Sequence, residues 1–236
     1  MINKIVASPQ EALAGVADGA TVLISGFGGS GQPEQLIDAL IDQGARDLTI
    51  VNNNAGNGDT GLAALLKAGR VKKLICSFPR QADSYVFDGL YRAGKIELEL
   101  VPQGNLAERM RAAGAGIGAF FTPTAYGTQL AEGKETRIID GRGHVLEYPI
   151  HGDVALIKAR RGDRWGNLVY RKAARNFSPI MATAARCTIA QVDEIVELGA
   201  LDPEIIVTPG IFVARVLAVG STVRIGPQTP TAKPAP

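Results

Sequence analysis

The chain is poor in the residues on which many active sites depend. Its 236 residues include two cysteines, Cys76 and Cys187, and two histidines, His144 and His151. The cysteines lie 111 positions apart, a spacing that supports neither a disulfide framework nor a zinc site. Neither histidine lies near a Gly-x-Ser-x-Gly turn or in a metal-spaced cluster. We therefore expect both in loops or on the surface, and we predict no metal and no Ser/His/Asp triad.

Long apolar runs and an excess of one charge are lacking as well. No run reaches the roughly 18 residues that a membrane span needs, and residues 1–10 contain no apolar signal-peptide segment. Twenty-five basic and 23 acidic side chains leave a net charge of +2 with no basic block, which argues against nucleic acid as a partner. We therefore expect a cytoplasmic protein that binds neither membranes nor nucleic acid.

Glycine, in contrast, is abundant, at 28 of 236 residues or about 12%, against roughly 7% in average proteins. Glycine-rich turns separate short apolar runs from amphipathic segments. Strands are predicted over 20–24, 48–51, 71–78, 96–101, 154–159, 189–192 and 205–207. Helices are predicted over 34–43, from a cap at Asp59 or Thr60 through 67, over 84–93, and from a cap at Asn105. This alternation indicates right-handed βαβ units, so we predict an α/β fold with a mainly parallel sheet and helices on both faces.

Four segments refine this architecture. The strand over 96–101 alternates Ile or Leu with Glu, which predicts an edge or a half-covered position in the sheet. Residues 125–148 turn polar and glycine-rich, as a loop or hairpin insertion would, and residues 162–172 resemble a β-hairpin with a basic end. We predict one domain over residues 1–225, followed by a proline-rich disordered tail over 226–236.

The most informative segment is the loop between the first strand and the helix over 34–43. This glycine loop consists of Ser25, Gly26, Phe27, Gly28, Gly29, Ser30 and Gly31. Glycines let the backbone approach a ligand closely, and the following helix N-terminus adds partial positive charge, so the loop suits a phosphate or an oxyanion. It lacks the Lys-Ser/Thr of a P-loop and the spacing of a dinucleotide fingerprint. A purely structural turn is the alternative.

Two further polar loops follow predicted strands at the same carboxyl edge of the sheet. Residues 52–57 contain four asparagines, and residues 102–105 read Pro-Gln-Gly-Asn. Ligands of open parallel sheets bind at this edge, and side-chain amides can hold a carboxylate or thioester oxygen without adding charge. The alternative for the asparagines is a structural turn. Because Cys76 ends an apolar strand, it is expected to be a buried, inert thiol. The residues thus predict a ligand pocket without an obvious nucleophile.

Six ordered motifs resemble the A (alpha) subunit of class I 3-oxoacid CoA-transferases across residues 2–219. They occupy residues 18–33, 53–56, 102–109, 114–117, 127–128 and 171–177. The first family signature usually reads Gly-Gly-Phe, whereas this chain has Ser25-Gly26-Phe27, where serine still supplies a backbone N–H. Residues 76–87 and 116–119 are most similar to the 3-oxoadipate (β-ketoadipate) branch. Acetoacetate-type relatives usually carry proline at the position of Gly118.

The resemblance implies the NagB/RpiA/CoA-transferase α/β fold and half of an active site. The family's nucleophile is a glutamate in a Ser-Glu-Asn-Gly motif of the B (beta) subunit, and no such motif occurs in this chain. The implied assembly is α2β2, and the implied substrates are succinyl-CoA and 3-oxoadipate. The reaction would run ping-pong through a glutamyl-CoA thioester. No permanently bound cofactor is implied, because the coenzyme A thioester is itself a substrate.

The resemblance also suggests roles for individual residues. The glycine loop, Ser25–Gly31, becomes the CoA-contacting segment. Asn53, Asn54 and Gln103, with Gly104 beside them, would line the acyl pocket. We hypothesise that Arg80 pairs with the distal carboxylate of a dicarboxylate acyl group, because a guanidinium binds a carboxylate bidentately. The alternative is an ordinary surface arginine.

Two other functions remain open from the sequence. The first is a transferase for acetoacetate or another short 3-oxoacid, which a substrate panel separates. The second, from a different class, is a stand-alone module that binds a phosphorylated ligand on the glycine loop. Such a module would bind its ligand alone, whereas one half of a transferase needs its partner for turnover.

Overall fold

A seven-stranded parallel sheet organises the computed structural model, which describes residues 2–219. Its strands are β1 (Thr21–Ile24), β2 (Leu48–Val51), β3 (Val71–Cys76), β4 (Glu97–Leu100), β8 (Gly152–Gly162), β10 (Ala185–Ile195) and β11 (Arg215–Ala218). They pair in the order β11-β10-β8-β1-β2-β3-β4, and every neighbouring pair is parallel. The short strand β9 (Leu168–Val169) pairs antiparallel with the end of β8. The predicted mainly parallel sheet and the hairpin over 162–172 are confirmed.

Helices cover both faces of the sheet. They are α1 (Pro9–Ala12), α2 (Glu34–Gln43), α3 (Gly61–Lys67), α4 (Tyr85–Arg92), α5 (Gln103–Ala115) and α6 (Ser178–Ala184). One core holds strand residues such as Ile24 and Leu156 together with residues of α1 to α4. The opposite core holds Leu23 and Ile157 with residues of α5 and α6. Neighbouring strand residues therefore face opposite cores, as the pleat requires. None of the helices within residues 2–219 has both the length and the apolar character needed to cross a membrane.

The insertion predicted over residues 125–148 is part of a small antiparallel sheet that begins earlier, at residue 120. Its strands are β5 (Phe120–Thr122), β6 (Thr136–Ile139) and β7 (Arg142–Glu147), in the order β5-β7-β6. The carboxylate of Glu147, 2% exposed, anchors this sheet to the domain. Lys134 Nζ lies 2.7 Å from Glu147 Oε1, Asn105 Nδ2 donates to the same oxygen at 3.2 Å, and Arg109 Nε lies 3.8 Å from Oε2. Three donors thus surround a buried charge that would be costly if left unpaired.

Two predicted elements are wrong: one helix begins earlier than predicted, and one predicted strand is absent. Helix α5 begins at Gln103 rather than after Asn105, because Leu106 N–H already bonds Pro102 O at 2.8 Å. The Asn105 side chain is therefore free to bond Glu147 instead of capping. The strand predicted over 205–207 is absent, and a 3₁₀ helix spans Pro203–Ile205. Asp202 caps that turn by accepting from Glu204 N–H at 3.0 Å, which favours the turn over an extended strand.

The remaining elements agree with the sequence to within a few residues. Strand β4 lies at the sheet edge, as its alternating pattern predicted. Strands β8 and β10 are each 11 residues long and extend beyond both ends of the apolar segments that predicted them. Three further 3₁₀ turns lie at Gln129–Ala131, Lys172–Arg175 and Gly210–Phe212. The proline-rich tail predicted over 226–236 lies outside the described residues.

Candidate functional site

The carboxyl ends of β1, β2 and β4 bring the three predicted polar loops together. Asn52 Nδ2 donates to Ile24 O at 2.6 Å, which joins the loop after β2 to the end of β1. Gln103 Nε2 donates to Asn53 Oδ1 at 2.8 Å, which joins the same loop to the start of α5. The convergence predicted from the sequence is therefore present. A cavity of about 250 Å³ opens beside this convergence, between the glycine loop and the loops after β2 and β3, and is lined by Gly28, Gly29, Gln32, Glu34, Asn57, Thr60 and Gln81.

The amide of Asn53 is fixed in one orientation by two donors. Its Oδ1 accepts from Ser77 Oγ at 2.7 Å and from Gln103 Nε2 at 2.8 Å. Both neighbours donate, so the oxygen must face them and the NH₂ group must face the other way. Within residues 2–219, no acceptor bonds that NH₂ group. Asn53 therefore offers two N–H donors at the carboxyl edge of the sheet.

Asn54 lies deeper, at 1% exposure. Its backbone N–H donates to Asn52 Oδ1 at 2.8 Å, and its own Oδ1 accepts from Gly56 N–H at 2.9 Å. These two bonds form successive Asx turns, so the structural explanation offered for the asparagines holds for Asn52 and Asn54. The Nδ2 of Asn54 is buried and has no partner in the described chain.

The glycine loop is held in place by side chains and leaves donors at its tip. Ser25 Oγ donates to Gly31 O at 2.8 Å and closes the loop. Phe27 and Ser30 exchange both backbone N–H···O bonds, at 3.0 and 3.1 Å, which makes a tight turn. Between them, the N–H groups of Gly28 and Gly29 bond no acceptor of the described residues. Those two glycines also line the cavity, so their N–H groups are available there as donors.

The backbone N–H of Ser25 is not such a donor. It bonds Leu156 O at 3.0 Å as a continuation of the sheet, which corrects the expectation that this serine supplies an N–H to the site. The Gly26 N–H is also used, because it donates to Asn176 Oδ1 at 3.2 Å. Asn176 Nδ2 in turn donates to Ser30 O at 2.9 Å. Asn176, 150 residues away in sequence, thus forms hydrogen bonds with the backbone near both ends of the loop.

Two residues from the sequence-based site lie at its margin. Arg80 is 59% exposed at its side chain, and its Nε contacts Asp88 Oδ1 at 2.8 Å, so the guanidinium is bound to α4. The neighbouring Gln81, rather than Arg80, lines the cavity. Gly104 lies in the first turn of α5 next to Gln103, and a Cβ there would meet nothing within 4 Å. Space is therefore open beside Gln103.

Sequence reasoning did not identify Ser77, Gln32 and Asn176 as part of the site. Ser77 follows β3 at the same edge as the other loops, and this position was a usable signal. Gln32 is 7% exposed and fills the space left by Gly26, where a Cβ would lie 2.6 Å from Gln32 Cγ. Asn176 belongs to the sixth motif, but no sequence spacing places it against the glycine loop.

The cysteines and histidines stay out of the site. Burial raises the pKa of the Cys76 thiol to about 12, so it is the inert thiol that the sequence predicted. His144 lies in β7, where its Nδ1 contacts Arg142 O at 2.8 Å, and His151 is exposed. In the described part of the chain, no group of three His, Cys, Asp or Glu side chains is arranged to hold a metal ion. A wider cavity of about 480 Å³ lies at the amino edge of the sheet, away from the converging loops.

The family model for coenzyme A transferases matches residues 6–218. The chain belongs to the coenzyme A transferase family. This CoA-transferase chain is 71% identical over 219 residues to the A subunit of a 3-oxoadipate CoA-transferase from Pseudomonas putida, covering 93% of this chain and 95% of that protein. It is 68% identical over 222 residues to the A subunit of the enzyme of the same name from Acinetobacter baylyi, covering 94% and 97%. The A subunit of a probable succinyl-CoA:3-ketoacid coenzyme A transferase from Bacillus subtilis is 50% identical, covering 92% and 90%. The resemblance seen in the six motifs is confirmed.

Solved structures agree on the fold of this CoA-transferase chain. An acyl-CoA transferase from E. coli O157:H7 (YdiF), in a thioester complex with CoA, superimposes with a TM-score of 0.81 at 24% identity. The match covers 92% of this chain and 50% of that one, so the chain spans about half the length of that transferase. Glutaconate coenzyme A-transferase from Acidaminococcus fermentans gives a TM-score of 0.80 at 21% identity, covering 92% and 76%.

Two glycines of the loop form a matched test of its packing. Gly31 has φ +77°, and a Cβ there would lie 2.5 Å from Ala174 O, whereas a Cβ on Gly29 would meet nothing within 4 Å. We expect Gly31→Ala to lower the free energy of unfolding by about 2 kcal/mol, from backbone strain plus the clash. We expect Gly29→Ala to stay within about 0.5 kcal/mol of the parent. Urea unfolding measures both, and equal stability of the two variants would contradict the described loop geometry.

Proposed function

We propose that the chain is the A (alpha) half of a CoA-transferase that moves CoA from succinyl-CoA to 3-oxoadipate. The observation that carries this is the set of neutral donors at one sheet edge, namely the Asn53 amide, Gln103 and the glycine-loop tip. Neutral donors stabilise a tetrahedral oxyanion without holding an incoming carboxylate in an ion pair. The two relatives named for 3-oxoadipate exceed the 3-ketoacid relative by about 20 percentage points in identity, which supports the substrate class.

The proposed reaction uses a glutamate of the partner B subunit. Its carboxylate attacks the carbonyl carbon of succinyl-CoA, the C–S bond breaks, and an acyl-glutamyl anhydride and CoA thiolate result. The thiolate then attacks the glutamyl carbonyl, which releases succinate and leaves a glutamyl-CoA thioester. The same two steps in reverse pass CoA to 3-oxoadipate. A carboxylate nucleophile needs no general base, so the site works without histidine.

Partner and location follow as further parts of the proposal. Phe27 and Phe78 lie in loops at the same edge of the sheet and are 53% and 62% exposed, and a partner that covers them would exclude water from hydrolysable intermediates. We propose an α2β2 assembly on the implication of the family. Two free cysteines, Cys76 and Cys187, fit a reducing compartment, which supports a cytoplasmic location.

The division of labour between the two kinds of chain is testable by complementation. The chain alone is expected to show almost no transfer between succinyl-CoA and 3-oxoadipate, and addition of the B subunit to restore it, because the nucleophile is on the partner. Glu34 is the carboxylate that lines the cavity, so Glu34→Gln is the control. We expect that variant to keep at least about half of the kcat. Loss of all activity in Glu34→Gln, or full turnover by the chain alone, would refute the proposal.

The amide donors have their own test in the assembled enzyme. Removing one oxyanion donor typically costs 10²- to 10³-fold in kcat, so we expect Asn53→Ala and Gln103→Ala each to lower kcat by roughly 10²-fold. Gln129→Ala removes an exposed amide from the insertion and serves as the control, with kcat unchanged. Steady-state kinetics with succinyl-CoA measures all three. A change in KM alone would show that these amides bind substrate without stabilising the transition state.

Arg80 is proposed to exchange Asp88 for the distal carboxylate of 3-oxoadipate. Acetoacetate lacks that carboxylate, so it provides an internal comparison. We expect Arg80→Ala to raise the KM for 3-oxoadipate by roughly tenfold, as the loss of a charged hydrogen bond would, and to leave the KM for acetoacetate unchanged. Equal KM values for 3-oxoadipate in parent and variant would show that Arg80 does not bind this carboxylate and is a surface arginine paired with α4.

A further inference from the structure

A second polar cavity lies on the far side of the glycine loop from Asn53. Its volume is about 190 Å³, and it is lined by Gly31, Lys158, Ala159, Arg160, Arg171, Ala174 and Asp193. It touches the glycine loop directly, since Lys158 N–H donates to Ser25 Oγ at 3.2 Å. The cavity therefore belongs to the same carboxyl edge as the amides of Asn53 and Gln103, here called the amide cluster, but is a separate space.

The pleat of β8 explains why cations gather there. Leu156 packs in the core with α2, and Lys158 and Arg160 follow on the same face as β8 passes beyond that core. Arg171 approaches from the opposite wall, at the entry to the 3₁₀ turn Lys172–Arg175. Gly31 packs against Ala174 of that turn so closely that no side chain fits between them. The three cationic side chains thus come from two chain segments that the glycine loop holds together.

The charges of this cavity are not balanced within the described chain. Nine ion pairs occur among residues 2–219, and none includes Lys158, Arg160 or Arg171. Their side chains also make no hydrogen bond to those residues. Asp193 is the single carboxylate in the lining, so three cations against one anion leave an excess of two positive charges. Like charges gathered in a concave space attract a polyanion.

We infer that this cavity is a phosphate subsite that holds the nucleotide end of the CoA thioester, an inference that rests on the proposed function. Strand β8 is two positions from β2 in the sheet order, and Arg160 lies three residues further along than the level of Asn53, so the two backbone positions are about 14 Å apart before side-chain length is added. CoA has the same layout, with its phosphates joined to the reacting sulfur through a long pantetheine arm. Arginine binds phosphate through two parallel hydrogen bonds, and lysine adds a point charge. The glycine loop reaches both cavities at this edge, since Gly28 and Gly29 line the 250 Å³ cavity and Gly31 lines this one.

The test uses the assembled heteromeric enzyme and two thioesters. Succinyl-CoA and succinyl-pantetheine carry the same reacting group, but only the first has phosphates. We expect Arg160→Ala and Arg171→Ala each to raise the KM for succinyl-CoA at least about tenfold, with the KM for succinyl-pantetheine unmoved. Arg171→Lys is expected to recover part of the loss. Arg186→Ala is the control, because that side chain is 87% exposed and lies outside the cavity.

A binding measurement makes the test independent of turnover. By calorimetry, 3′,5′-ADP is expected to bind the parent complex and to bind the Arg160→Ala/Arg171→Ala variant at least tenfold more weakly, with circular dichroism confirming its fold. Inorganic phosphate distinguishes a general anion site, since it should compete only weakly with the nucleotide.

Three outcomes overturn the inference. They are equal KM changes for both thioesters, no change for either, and failure of the variants to associate with the B subunit in native mass spectrometry. The last would assign the cations to an acidic surface of the partner. Absence of turnover by the parent with either thioester counts against the proposed function instead, and 3′,5′-ADP binding then decides the subsite alone.

Discussion

Parallel pairing of seven strands is the constraint on which the rest of this molecule depends. Because β11, β10, β8, β1, β2, β3 and β4 all run the same way, every strand ends at one edge and every following loop begins there. The amide cluster, the glycine loop and the cationic cavity are consecutive stretches of that edge. Their order along it is the order of the strands, so the spacing between functional groups is set by backbone hydrogen bonding.

Hydrogen bonds from polar side chains hold the loops at that edge in place. Ser25 bonds the far end of its own loop, and Asn52 and Asn176 bond the backbone of neighbouring loops. Each bond satisfies a main-chain group that would be costly to bury unpaired. The donors left over are then few and specific, chiefly the Asn53 amide and the N–H groups of Gly28 and Gly29. In the proposed reaction such a rigid loop would be preorganised for an oxyanion, because nothing would have to reorient as charge develops.

A set of ion pairs supports the site through helix α5. Glu99 receives Lys73 and Arg109 at 2.6 and 2.9 Å, and Arg109 reaches on toward Glu147. Burial opposes ionisation of Glu99, but the hydrogen bonds from Lys73 and Arg109 outweigh it and hold its pKa below the usual range. The stabilisation from this carboxylate is therefore present above its unfolded-state pKa and is lost as pH falls through the lower folded value. The network ties β4, α5 and the inserted sheet together, and α5 carries Gln103.

Local patterning was enough to predict most of the fold. Hydrophobic periodicity, together with glycines at the ends of elements, predicted four features. These are the parallel sheet, the edge position of β4, the inserted hairpins and the burial of Cys76. The convergence of Asn53 and Gln103 was predictable too, since both follow strands at one edge. Errors arose where long-range partners prevailed over local preference, as when Asn105 bonded Glu147 rather than capping α5.

The sequence by itself determined most of the element types, the order of the loops and the family, because these depend on local pattern and motif. Only the tertiary structure decided which polar groups form hydrogen bonds within the described chain and which are left without a partner there. Ser25 and Asn176 are motif residues that serve mainly to close and clamp the glycine loop, whereas Lys158 and Arg171 belong to no predicted site yet face one cavity. The physical reason is that hydrogen-bond satisfaction is a property of neighbours in space, and those neighbours are up to 150 residues apart in the chain.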